Sequence, residues 1–460
     1  MTTPTRVGSH PENSDNARDG EIMFVRSQSQ LALDNPAAKG FRLTRHQAER
    51  AFGSDMVERV LDECVVSLVP SIQEPAQTLR ARREHMGLRV EELAQAARLP
   101  ASLVVDAESP GKVVPIQSLN ELCQVLALDE RILGYSPAAG GDAGLGVRLR
   151  MLTEIRDEKS FSAASVAKLG EAAWVVAKQS DLADSLGRKL HDLASSASRK
   201  DANYSYPTYE KGYLLAEKTR SLLGLDDEEP IFSVRALVEE TLNIPLIQTN
   251  LEHRFAGATI ANGSYRGIVV NERGRNSDVA VRRMTMCHEM AHLLWDPDEK
   301  LDKLLVDEYA NIEGRAAATD YVEMRANSFA VAFLAPRAGV RRIVDRSASI
   351  ASAIEEISSL YGISVSAAKY HIANVCKKDT NVAVGDVDLS AWIPAENLTV
   401  DFMPGLGENV PISRRGMFSA VVARAFLNNL ISADTARMCL KSDRPFDHAQ
   451  AITIAELWGI

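Results

Sequence analysis

Cysteine is scarce in this chain. Five are spread over 460 residues (Cys64, Cys123, Cys287, Cys376 and Cys439), an odd number with no C-x-x-C pair. That excludes a disulfide framework and a cysteine-built zinc site, and it fits a reducing compartment. Cys287 reads as a small buried residue. Long apolar runs are also missing, and the N-terminus lacks the charged-then-apolar layout of a signal peptide. The expectation is a cytoplasmic protein with no membrane partner. An excess of basic residues is lacking too: 52 Lys and Arg stand against 62 Asp and Glu, for a net charge of −10. The chain as a whole therefore does not attract nucleic acid, and any DNA contact would need a local basic face. No internal repeat is evident.

What is present is a globular composition, 45% hydrophobic and 25% charged. The length exceeds one ordinary core and suggests about three domains. Residues 1–38, rich in Ser, Asn, Asp, Pro and Gly, read as a flexible tail. Residues 39–75 form a helical extension, with an apolar pattern over Thr44 to Val69. A compact helical block spans 76–137. Residues 138–200 combine a Gly-rich linker (138–144) with a helical hairpin over Gly146 to Ala197. In 201–345 a helix from Tyr204 to Leu225 precedes two short strands, Ile244 to Ile247 and Gly267 to Asn271, bounded by Gly and Asn. A helix from Asp278 to Trp295 follows, with Ser277 or Asp278 as N-cap and Pro297 past its end. Another from Thr319 to Phe333 stops at Pro336. Residues 346–378 read as two helices around Gly362, Ala351 to Tyr361 and Val365 to Val375. Residues 379–460 form an accessory domain, with a strand-like piece at 398–402 and then helices. The fold class is α+β, predominantly α and multidomain, with a small sheet in its central domain.

The most informative stretch is His288-Glu289-Met290-Ala291-His292. Two histidines four apart stand on one helix face, so both imidazoles can reach one metal ion. Glu289 beside them is placed to take a proton from a water activated there. A catalytic zinc needs a third protein ligand. Asp296, Asp298, Asp307, Glu308, Glu313, Asp320 and Glu323 are the downstream acids, the first two expected to point into a loop after Pro297. Glu323 is preferred because it lies on the next well-formed helix. Asn327 shares its face, one turn on, and can orient a ligand histidine through the second ring nitrogen. Ala326 and Ala330 permit close helix approach, and Ala326, Phe329 and Phe333 can pack against the motif helix. The expected chemistry is peptide hydrolysis with Glu289 as base. Tyr309, Tyr321 and Arg325 are candidate donors to the tetrahedral oxyanion. The strand Gly267, Ile268, Val269, Val270 is either an edge for an extended substrate or ordinary sheet core.

Residues from about 205 to 336 resemble the ImmA/IrrE family of metallo-endopeptidases. The resemblance is carried by Gly267 to Arg273, Arg282 to Leu294, Glu323 to Ala330 and Phe333 to Pro336, in that order and spacing. It implies a zincin-like core and one zinc ion, with Mn2+ as the alternative. It also implies ligands His288, His292 and Glu323, with Glu289 as catalytic base. The implied substrate is an XRE-type repressor protein, cleaved in a stress, mobile-element or phage-defence response. The chain departs from the common pattern at Met284 and Met286 before the motif and at Trp295-Asp296 after it. Neither departure removes a ligand.

Leu79 to Tyr135 resembles an XRE-type helix-turn-helix, with helices at Ala76 to Met86, Val90 to Ala97, Ala101 to Glu108 and Ile116 to Leu126. Its expected core is Leu93, Ala94, Leu103, Leu119, Leu122 and Leu126. The recognition segment from Ala101 to Asp106 holds no Arg, Lys, Asn or Gln to read a base edge. Arg89, Ser102 and Asp106 would contact either DNA or a protein partner, and like modules can pair into a homodimer. Residues 354–375 show a second helix-turn-helix-like pattern, better read as a closing helical hairpin with His371 partly buried. The alternatives to an enzyme are an XRE-family transcriptional regulator whose peptidase-like domain senses or binds, and a scaffold using both modules for protein contacts.

Overall fold

The computed structural model describes residues 23–26, 41–64, 66, 73–130, 133, 161–194, 208–262, 265–296, 305–308, 321–396, 406–407 and 409–459. The chain is α+β and predominantly α, and it divides into two compact units. Residues 1–174 with 428–430 form the first; 175–427 with 431–460 form the second. Among the described residues, no helix is long and apolar enough to cross a membrane.

In the first unit, β1 (Met23–Arg26) pairs antiparallel with β2 (Phe41–Thr44). Met23-Phe24-Val25-Arg26 thus departs from the expected tail: its short apolar run finds a partner only across a long connection. The helical extension is broken at Gly53 into α1 (Arg45–Phe52) and α2 (Ser54–Glu63). Leu43, Ala48 and Val57 form their small core. Four helices follow: α3 (Ala76–His85), α4 (Val90–Ala97), α5 (Ala101–Ala107) and α6 (Ile116–Leu126). Leu79, Leu93, Val104, Leu122, Val125 and Leu126 are buried between them. Leu103 and Leu119, expected in that core, are only half-buried. On α5 the inward position belongs to Val104, because the helix starts directly after Pro100 and its phase is one residue on. The buried Glu108 carboxylate receives Arg83 through two hydrogen bonds of 2.7 and 2.8 Å, tying α3 to the end of α5.

The division between units falls within α7 (Ala163–Ser185). The expected hairpin does not continue through the next segment: α7 is followed by a loop at Gly187 and a single 3-10 turn at Asp192–Ala194. Residues 146–160 lie outside the described residues.

The second unit is organised by a four-stranded sheet of β3 (Leu246–Thr249), β4 (Phe255–Asn262), β5 (Tyr265–Asn271) and β6 (Leu305–Glu308), in the order β3-β5-β4-β6. β3 and β5 are parallel (Ile247↔Val269), while β4 is antiparallel to both β5 (Thr259↔Ile268) and β6 (Ala258↔Val306). Gly267 to Val270 therefore sit in an interior strand with both sides paired. That excludes them as a substrate edge and leaves the sheet-core reading. β4 escaped the sequence reading because Phe-Ala-Gly-Ala-Thr-Ile-Ala-Asn is built largely of small residues.

The motif helix α9 (Val279–Trp295) packs on β4 and β5. Asp278 caps it, its carboxylate accepting from the Ala280 amide at 2.8 Å. The helix is buried on nearly every side. α8 (Thr208–Leu222) and α10 (Tyr321–Leu334) pack against one another, and α10 also packs on α9. Gly212 of α8 permits the close crossing, since a Cβ there would lie 2.2 Å from Ser328 Oγ. α11 (Arg337–Arg346), α12 (Ile350–Tyr361) and α13 (Val365–Cys376) close the core. A strap then crosses behind α9. Its Glu396 carboxylate pairs with the buried Arg283 and accepts from the Val234 and Arg235 amides at 2.7 and 3.1 Å. α14 (Met417–Leu427), α15 (Ala433–Leu440) and α16 (His448–Leu457) form the C-terminal helices. The strand-like piece at 398–402 lies outside the described residues.

His371 on α13 is fully buried rather than partly so. Its Nε2 lies 2.7 Å from the Ala335 carbonyl, and burial pushes its pKa down from 6.5 to about 4. A histidine depressed in the folded state contributes stability above its unfolded pKa, and loses that contribution as pH falls through the folded value. The folded protein should lose about 3 kcal/mol from this source between pH 6.5 and 4. His371→Gln should flatten that decline in thermal-unfolding midpoints, and parallel pH profiles of wild type and variant would count against it.

Candidate metal centre

His288 and His292 are fully buried on α9, one turn apart, with their Nε2 atoms 3.0 Å from each other. Glu323 reaches them from the first turn of α10. One carboxylate oxygen lies 3.2 Å from His288 Nε2 and the other 3.6 Å from His292 Nε2. Among the described residues these three form a group able to hold a metal ion, with ligand atoms all within 4.8 Å.

The outward ring nitrogens fix what the inward ones can be. His292 Nδ1 lies 2.9 Å from Asp296 Oδ2, and a carboxylate only accepts, so that Nδ1 carries the proton. His288 Nδ1 donates likewise to Asn327 Oδ1 at 2.9 Å. In the neutral rings both Nε2 atoms then present lone pairs to each other and to the Glu323 carboxylate. Three acceptors at these distances repel unless a cation lies between them. Tetrahedral coordination at zinc–nitrogen lengths separates two ligand nitrogens by about 3.3 Å, close to the separation observed. The residues present fit a zinc-type ion.

Glu289, also fully buried, points to the sheet, where its Oε2 accepts from Thr259 Oγ1 of β4 at 2.7 Å. Gly257, two residues earlier, makes room for it: a Cβ there would lie 2.8 Å from Glu289 Oε1 and 2.8 Å from the Val269 carbonyl. Asn276 anchors the first turns of α9 to the strands. It accepts from Thr285 Oγ1 at 2.9 Å and donates to the Ala256 and Asn271 carbonyls at 2.8 and 2.9 Å.

The structure thus brings His288, Glu289, His292, Glu323 and Asn327 to one place. Asp296 departs from expectation. It does not point into a loop but closes the end of α9, buried, between His292 and Arg325. Its spacing, four residues past His292, was the available signal, and the Pro297 break obscured it. Arg325, a candidate oxyanion donor, is instead buried and donates to Asp296. Tyr321 is 64% exposed on α10. Tyr309, Asp298, Glu313 and Asp320 lie outside the described residues, and Asp307 and Glu308 belong to β6. Thr259, Gly257 and Asn276 carried no sequence signal, since their roles arise only from the packing of α9 on β4. In the first unit, Arg89 is exposed and pairs with Glu92 at 2.8 Å. Ser102 is exposed, and Asp106 lies 3.7 Å from Lys112 Nζ.

Residues 242–373 match the Peptidase M78 family model, described as the IrrE N-terminal-like domain. The match takes in the sheet, α9, α10 and most of α11 to α13, and it supports a metallopeptidase-type function for this part of the chain. No curated protein matches the chain.

Ala substitution at His288, His292 or Glu323 should each weaken Zn2+ binding by at least about 100-fold, because two ligands hold the ion far less well than three. Chelator competition measures this directly. An unchanged affinity in either histidine variant would remove the centre.

Proposed function

We propose that this chain is an endopeptidase dependent on one divalent cation, Zn2+ by its nitrogen-and-carboxylate donor set, with Mn2+ as the alternative. The observation that carries the reading is the convergence of His288, His292 and Glu323, with ligand atoms within 4.8 Å of one another, at the helix that also carries the buried Glu289 carboxylate. When bound, the ion supplies a Lewis acid for the peptide carbonyl and lowers the pKa of water. The rest falls to the chain's own groups. Glu289 takes a proton from the attacking water and returns it to the leaving nitrogen. Thr259 Oγ1 holds one Glu289 oxygen, which aims the other. Asn327 and Asp296 keep the Nδ1 protons of the histidines in place, so that Nε2 remains a lone pair.

The substrate we infer is a regulatory protein of the XRE-repressor type, cut in the cytoplasm in a stress, mobile-element or phage-defence response. The helical block at 76–137 is read as an XRE-type module that docks this substrate. Its α5 exposes Ser102 and Val105 and carries Asp106, a surface poor in base-reading groups and without a net positive charge. The second reading is a transcriptional regulator whose peptidase-like domain only senses. It gives no use to a buried carboxylate seated against Thr259 on the same helix as the histidines, and it predicts salt-dependent promoter binding indifferent to Glu289.

Glu289→Gln should keep full Zn2+ content yet cleave XRE-type repressors encoded beside it at least about 100-fold more slowly. Cleavage at the native rate would reject the role of that carboxylate. Val105→Glu should raise KM for the repressor roughly tenfold with kcat unchanged, as expected of binding lost equally in ground and transition states. Loss of DNA binding with KM unaltered would instead place DNA on this face.

A further inference from the structure

Helix α10 brings more to the centre than Glu323. Asn327, four residues on, faces His288 Nδ1 at 2.9 Å. Arg325 sends its guanidinium to Asp296 Oδ1, while Asp296 Oδ2 meets His292 Nδ1 at 2.9 Å. Both charged partners are buried, the Asp296 side chain completely and that of Arg325 to within 3%. Replacing a buried ion pair by apolar groups is often neutral or stabilising, so stability alone gives this pair little reason to exist. Geometry gives a better one. A carboxylate held at one oxygen can swing about its Cβ–Cγ bond and carry the imidazole with it. Held at both, it fixes the plane in which Nδ1–H must lie, and with it the direction of His292 Nε2.

We propose that Arg325 and Asp296 are positioning residues that make the delivery of Glu323 and the aiming of His292 a single event. α10 then sets all three ligands: Glu323 directly, His288 through Asn327, and His292 through the Arg325–Asp296 pair. The two histidines are not equivalent, since a neutral amide backs one and an ion-paired carboxylate backs the other. If α10 withdraws, Glu323 leaves and both rings lose their stops together. This inference rests on the metal-centre reading above.

The test compares wild type with Asp296→Asn, Arg325→Met, Arg325→Lys and the double variant D296N/R325M. Three readouts are taken: Zn2+ affinity by chelator competition, the visible absorption of the Co2+-loaded protein, and thermal unfolding of the metal-free protein. Each single variant that removes a partner should weaken Zn2+ binding about 10- to 100-fold, the usual effect of losing an outer-shell partner. It should also lower the Co2+ band intensity as the tetrahedral geometry relaxes. The double variant should regain metal-free stability, because both buried charges leave together, yet stay weak for Zn2+. Arg325→Lys should restore part of the affinity.

Should the single variants fail to fold, the double variant decides alone. Native Zn2+ affinity and a native Co2+ spectrum in it would show the pair to be structural only and overturn the proposal. A wild-type protein that takes up neither ion would overturn the metal centre itself, an outcome distinct from the last.

Discussion

With both rings neutral, three acceptor groups, two imidazole nitrogens and a carboxylate, face one another at 3.0 to 3.6 Å. Each is kept in that state from behind, by Asn327, by Asp296 and by the path of α10. Such an arrangement is electrostatically unfavourable by itself, and burial sharpens the penalty, since a low local dielectric strengthens repulsion as well as attraction. The surrounding structure must therefore hold α9 and α10 in fixed relation. Gly212 lets α8 press on α10, and Ala326 and Ala330 keep the inner face of α10 small. Phe329 and Phe333 stack at 5.3 Å between centroids and fill the core alongside.

Behind α9 the same constraint is met by charge. Arg283 has no solvent to satisfy it. Its guanidinium pairs with Glu396, donates to the Ile231 carbonyl at 2.7 Å and lies 4.3 Å over the Trp392 ring. Glu396 in turn accepts from two backbone amides at the start of the Val234–Ala236 helical turn. One carboxylate thus joins the strap, the motif helix and the segment leading into the sheet. Removing either charge would strand the other in the interior, which typically costs about 3–5 kcal/mol.

The sheet contributes by offering a seat for Glu289. β4 runs between β5 and β6, and its Gly257 and Thr259 face the motif helix two residues apart, as strand periodicity requires. Gly257 leaves the space and Thr259 supplies the hydrogen bond. A larger residue at the first position or an apolar one at the second would disturb the carboxylate without touching a histidine. Binding of an ion and use of Glu289 are therefore separable in this architecture, although the residues adjoin in sequence.

Much of this was legible in the chain itself. Helix periodicity and N-cap chemistry place α9, α10, α12 and α13 within a residue or two, because amphipathic spacing, Asp278, Pro336 and Gly362 act locally. The H-E-x-x-H spacing puts two imidazoles on one face for the same reason, and Glu323 and Asn327 share a face one turn apart. β4 was not legible, as its small residues carry no strand pattern. Nor was the interior place of Gly267 to Val270, which depends on which strands pair. Val104 rather than Leu103 faces inward through a one-residue phase on a short helix. Asp296 turns back to His292 rather than into a loop, because Pro297 marks where the helix stops but not where the last side chain turns, and Arg325, expected as an oxyanion donor, turns to Asp296 instead. Sequence by itself determined the donor types and their spacing along each helix, since both follow from neighbours within a turn or two. Which groups stand behind those donors was decided only by the tertiary structure, because Thr259, Asn276, Arg325 and Glu396 act on residues roughly ten to more than a hundred positions away, and chain folding alone sets those distances.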